Sequence, residues 1–232
     1  MMHEQALPES NIRTGEGPVF PPAARSLSQV ISYITHPLFI PTLVTFLILQ
    51  SIPEYMVAFK PMSKKFAFDI LYFRVVAITI FFPLLTVLLG KQLGFVSSVY
   101  MKTQRERIIP YVAIIIYYFW AFYTFLQEGR APRFYTAFFL GSFLAVSISF
   151  ITNSFMKTSL HGIGWGGVIG FLLALMWGMH MNVSLPLVIT FLVTGVVATA
   201  RMVLNAHQPF EIYTGLFIGI ITQLAACWFL VI

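Results

Sequence analysis

Seven apolar runs, each close to 20 residues long, dominate this chain. They cover approximately residues 29–51, 69–90, 110–127, 133–155, 161–181, 185–204 and 211–232. At about 1.5 Å per residue, each reaches across the ~30 Å hydrocarbon core of a bilayer. Inside lipid every backbone N–H and C=O must bond within the protein, so helices are the economical solution. The residue-by-residue alternation of an outer-membrane strand is absent. Composition agrees, with 58% of residues hydrophobic and 9% charged, where a soluble domain carries about 25% charged. An ordinary cytosolic enzyme, a disordered chain and a basic-patch nucleic-acid binder are therefore excluded. The expectation is an all-α polytopic transmembrane helix bundle of about six to seven spans. Residues 1–28 read as a polar N-terminal tail and 29–232 as a single transmembrane domain. The lone cysteine, Cys227, reads as a small apolar filler.

Alternating spans sort the loops into two sets. One face of the membrane receives the N-terminal tail and loops 91–109, 156–160 and 205–210. The unusual polar residues concentrate on that face. Lys102, Arg105, Arg107, Lys157, Ser159, His161, Arg201, His207 and Glu211 all lie at span ends there. They come from three loops far apart in sequence, and a helix bundle brings such loop ends together.

Each segment has a plain reading beside a chemical one. Lys102, Arg105 and Arg107 suit interfacial anchoring, or an anion clamp. Ser159 and His161 open the fifth span, where free N–H groups and the positive end of the helix dipole favour an anion. Ser159 equally suits a helix N-cap. Gly162, Gly166 and Gly170 recur every four residues and read as a face for close helix packing. Arg201 ends an apolar run, where an unpaired charge is expensive. His207 and Glu211 are four apart, within reach for the carboxylate to bond a ring nitrogen and fix its tautomer. His36 precedes Pro37 within the first span and reads as a structural hydrogen bond at a proline kink. Arg74, near the other end of the second span, reads as a snorkelling side chain.

Taken in order, these residues resemble the type 2 phosphatidic acid phosphatase superfamily. Its membrane members carry K-x6-R-P, P-S-G-H and S-R-x5-H-x3-D motifs. The third is matched most closely: Arg201, five residues, His207, three residues, Glu211, with Ala200 for serine and Glu211 for aspartate. The second reads Thr158-Ser159-Leu160-His161, keeping serine and histidine. The first is represented by Lys102 and Arg107, five apart, with Pro110 further on.

The resemblance implies a metal-independent, cofactor-free hydrolase acting on a lipid phosphomonoester or pyrophosphate. Isoprenyl pyrophosphates, phosphatidate-like lipids and lipid A phosphates all suit such a site. His207 would be the nucleophile, forming a phosphohistidine. Glu211 would orient it and His161 would protonate the leaving oxygen. Lys102, Arg107, Ser159 and Arg201 would bind phosphate, with Arg105 and Lys157 as additional cations. The altered first and second motifs leave open a catalytically inactive relative that binds anionic headgroups or scaffolds membrane partners. The implied setting is a bacterial inner (cytoplasmic) membrane. With the site cations set aside, Arg13, Arg25 and Lys91 remain on the site face, against Lys60, Lys64, Lys65, Arg130 and Arg133 opposite. The positive-inside rule then places the site on the extracytoplasmic face.

Overall fold

A computed structural model describes residues 20–51, 64–95, 108–129 and 131–231. Among these residues every regular element is helical. Nine α-helices follow in order: α1 (Pro22–Ile34), α2 (Ile40–Ser51), α3 (Lys64–Val76), α4 (Phe82–Gln92), α5 (Ile108–Glu128), α6 (Arg133–Thr152), α7 (Leu160–Gly178), α8 (Ser184–Val203) and α9 (Pro209–Leu230). A short 3-10 turn, Pro37–Phe39, joins α1 to α2, and a π-helical segment, Ala77–Phe81, joins α3 to α4. Among the described residues, seven stretches are long and apolar enough to cross a membrane: Pro22–Gln50, Ile70–Gln92, Ile108–Glu128, Arg133–Thr152, Leu160–Gly178, Ser184–Val203 and Pro209–Leu230. The chain is thus an all-α polytopic membrane protein.

The first helix begins at Pro22, seven residues ahead of the first apolar run. Proline suits the first turn because that turn leaves its N–H groups unbonded anyway. The polar-looking stretch Arg25–Ser28 is helical, with Ser28 buried. Mean hydropathy misses this turn because its apolar side is narrow.

The bundle is organised around α7. Of its most apolar window, 72% is buried, against 22% for the peripheral α8. Glycines set the approach of α7 to α9. A Cβ at Gly162 would lie 2.8 Å from the Ile212 carbonyl oxygen, and one at Gly215 would lie 2.7 Å from that of Ser159. Larger residues would force the helices apart, so the glycine repeat is a packing device. Because α8 lies between them in sequence, α7 and α9 run parallel and start at the same face. The aromatic core sits further along, where Phe138 and Phe171 cross edge to face at 5.1 Å. Cys227 is buried in that core.

Arg74 has partners that the expectation did not include. It does not snorkel to water alone. Its guanidinium pairs with Glu128 at the end of α5 and lies over the Phe125 ring, 4.1 Å from the centroid. A partner on another helix holds it in place, and sequence spacing cannot show such a partner.

Candidate functional site

The turn between α8 and α9 is built residue by residue. Asn205 adopts a left-handed conformation, φ 50°. The Asn205 N–H then donates to Met202 O at 2.9 Å and the Ala206 N–H to Arg201 O at 3.1 Å. This paired closure satisfies the last carbonyls of α8 and ends it sharply. Gln208 then caps α9, and Pro209 occupies its first position. Glu211 completes a reciprocal capping box, accepting from the Gln208 N–H at 3.2 Å. Its same oxygen, Oε2, lies 2.7 Å from His207 Nδ1. The carboxylate that starts α9 therefore also orients His207, as the four-residue spacing suggests.

Only 7% of the His207 side chain is exposed. Burial, with the positive charges of Arg201 and Lys157, pushes its imidazole down to about 4, while the bond to Glu211 opposes the shift. At neutral pH the ring is uncharged. Nδ1–H donates to the carboxylate, which leaves the lone pair on Nε2.

Next to this turn, Lys157 Nζ donates to Ala206 O at 2.8 Å, tying the α6–α7 loop to it. The Ser159 N–H donates to Glu211 O at 3.3 Å. Ser159 Oγ accepts from the Gly162 N–H at 3.2 Å, so this serine is the N-cap of α7. His161 Nε2–H donates to the backbone oxygen of Ser32 at 3.0 Å. Arg201 sits in the last turn of α8, where the negative end of the dipole favours a cation. Its NH1 donates to Ser32 Oγ at 3.4 Å, and its Nε is buried without a partner among the described residues. Arg201 is within electrostatic reach of His36, His161 and His207.

Ser159, His161, Gly162, Trp165 and Arg201 line one small pocket between α7, α8 and α9. Its free space suits about a single water molecule. The fold thus brings Lys157, Ser159, His161, Arg201, His207 and Glu211 to one end of the bundle. His207 and Glu211 form a pair beside the pocket, and only Ser159, His161 and Arg201 among these six line it. Lys102, Arg105 and Arg107 lie outside the described residues. His36 caps the 3-10 turn, its Nδ1 accepting from the Leu38 N–H at 3.3 Å, as expected for a histidine at a proline kink. Among the described residues no three His, Cys, Asp or Glu side chains converge as a metal site.

Sequence reasoning missed Ser32. This buried residue of α1 holds both His161 and Arg201. Its one signal was the Ser28/Ser32 pair, four apart, on the helix that packs against α8.

Compared with family models, with curated proteins and with solved structures, the chain shows no match to any of the three.

Proposed function

We propose that the chain is an integral-membrane hydrolase that removes phosphate from a lipid phosphomonoester or pyrophosphate through a phosphohistidine on His207. One observation carries the reading: the His207–Glu211 bond of 2.7 Å, with the ring neutral and its Nε2 lone pair available. A neutral imidazole held by a carboxylate is an oriented nucleophile. Around it stand the cations Arg201 and Lys157, and the Arg201 Nε–H is unmet. The parallel starts of α7 and α9 add two positive dipole ends at the same face. The order of the motifs, and their resemblance to the type 2 phosphatidic acid phosphatase superfamily, support the same reading.

In this scheme the phosphate sits at the mouth of the pocket, because the pocket itself holds about one water. Nε2 attacks phosphorus as the bond to the leaving oxygen breaks. Arg201, with Lys102 and Arg107 from the segment before α5, binds the phosphate oxygens. His161 supplies the proton to the leaving oxygen. Its Nε2–H is held by Ser32, so Nδ1 carries a lone pair: it takes up the proton of the monoprotonated substrate phosphate and passes it to the leaving oxygen. Water then adds to phosphorus, releasing phosphate and restoring His207. A site at the helix ends suits a substrate whose apolar chain stays in lipid. The setting is a bacterial inner membrane with the site on the extracytoplasmic face. Labelling of Ser154→Cys by an impermeant maleimide added outside intact cells checks the orientation.

A second reading is favoured by Ser159. Its residue is fully buried and its hydroxyl is used as the α7 cap. That suits an inactive relative holding anionic headgroups. Phosphate release from a panel of lipid phosphates and pyrophosphates, with chelator present, separates the two. Release that persists in chelator and disappears in His207→Ala supports the hydrolase. Retained lipid-phosphate binding without release supports the second reading.

A further inference from the structure

The first span is interrupted at the depth of the site, and the cause is local. Pro37 has no N–H, so the Tyr33 carbonyl loses its normal helical partner. The His36 N–H turns to Tyr33 O instead, at 3.4 Å, and α1 ends at Ile34. The Ser32 carbonyl, which His36 would bond in a continuous helix, is thereby released. His161 Nε2 takes it at 3.0 Å. The Thr35 carbonyl is released in the same way and accepts from Trp165 Nε1 at 3.1 Å. The break leaves both carbonyls without the helical N–H that a continuous helix would give them.

Two side chains complete the arrangement. Ser32 Oγ accepts from Arg201 NH1. The His36 ring meets the His161 ring edge to face, with centroids 5.5 Å apart and planes at 85°. The His36 ring is itself fixed, because its Nδ1 caps the 3-10 turn. One broken segment therefore touches both the acid and the anion clamp of the scheme above. Ser32 reaches His161 through its backbone and Arg201 through its side chain.

We propose that Ser32 and His36 are positioning residues of this site: Ser32 Oγ sets the Arg201 guanidinium, and His36 braces the His161 ring that the released Ser32 carbonyl orients. This rests on the hydrolase reading. The two side chains then govern different steps. Arg201 belongs to phosphate binding and His161 to leaving-group protonation.

Substitution separates them. Ser32→Ala removes the hydroxyl and keeps the carbonyl, so His161 stays held while Arg201 loses its partner. KM for the lipid phosphate rises about tenfold with kcat little changed. His36→Asn keeps an N-cap acceptor and removes the ring. Its kcat falls on the order of fivefold with KM little changed. Both variants melt with the wild-type chain. The inference is overturned if neither constant moves, or if both variants change the same constant together with melting. If the wild-type chain releases phosphate from no lipid, the hydrolase reading fails by itself. The histidine ring signals of the ¹⁵N-labelled chain in nanodiscs then decide. The inference requires an Nε2–H tautomer at His161 that is disturbed in His36→Asn and kept in Ser32→Ala. An Nδ1–H tautomer in the wild-type chain, or identical spectra in all three, contradicts it.

Discussion

Two arginines mark the two ends of this bundle, and they are treated differently. Arg74 is neutralised by Glu128 and lies over Phe125. Arg201 has a serine hydroxyl at 3.4 Å and no carboxylate within ion-pair distance among the described residues, while the Nε–H of each arginine is buried without a partner there. The nearby carboxylate, Glu211, is committed to His207 and to the cap of α9. A partly buried cation with no carboxylate against it among the described residues is a cost to folding. At the Arg74 end the fold removes that cost. At the Arg201 end it is kept, beside three histidines and two helix starts. The difference separates an architectural charge from one placed to meet an anion.

The comparison is sharpened most strongly at Glu211. Glu211→Gln keeps a side chain able to cap α9 but loses the charge that holds the His207 tautomer. Phosphate release is expected to fall about 10³- to 10⁴-fold, while thermal stability changes little. Steady-state assays beside melting curves check this.

The arginines come next. Arg201→Met should lower kcat/KM about 10²- to 10³-fold, with stability unchanged or raised because an uncompensated charge is gone. Arg74→Met should leave catalysis near wild type and cost about 1 kcal/mol, since its ion pair is partly exposed. Equal effects of the two substitutions on activity would break the distinction.

The smallest expected effect is on pH. The folded chain holds His207 down to about 4, against an ordinary value of 6.5. Between those values the unfolded chain binds a proton that the folded chain refuses. Stability from this group therefore falls as pH drops from about 6.5 to about 4 and levels off below. The acid limb of activity should lie near pH 4 rather than 6.5. Melting profiles of the wild-type chain and His207→Ala should differ in slope within that window.

Much of this architecture was legible in the sequence. Hydropathy located all seven spans, because lipid imposes a length and an apolar surface that composition records directly. The glycine repeat announced close packing on α7, and the His207/Glu211 spacing announced their bond, because both depend on local helix geometry. The Ser32 contacts and the Arg74–Glu128 pair were not legible. They join helices whose apolar surfaces look alike, so periodicity does not say which neighbour each faces. The start of α1 at Pro22 was hidden for another reason: its first turns are polar enough to resemble a tail, and tertiary packing against α8 holds them helical. At the site, the sequence showed residue types and order, but not that Ser159 is committed to capping α7 or that the pocket is water-sized.

The most direct test of the central claim is to trap the phosphoenzyme. The purified chain would be quenched in base during turnover of a labelled lipid phosphate and mapped by mass spectrometry. The account predicts one acid-labile, base-stable phosphate on His207, absent from His207→Ala. Turnover with the phosphate on another residue, or with no phosphoenzyme under rapid quench, would contradict it.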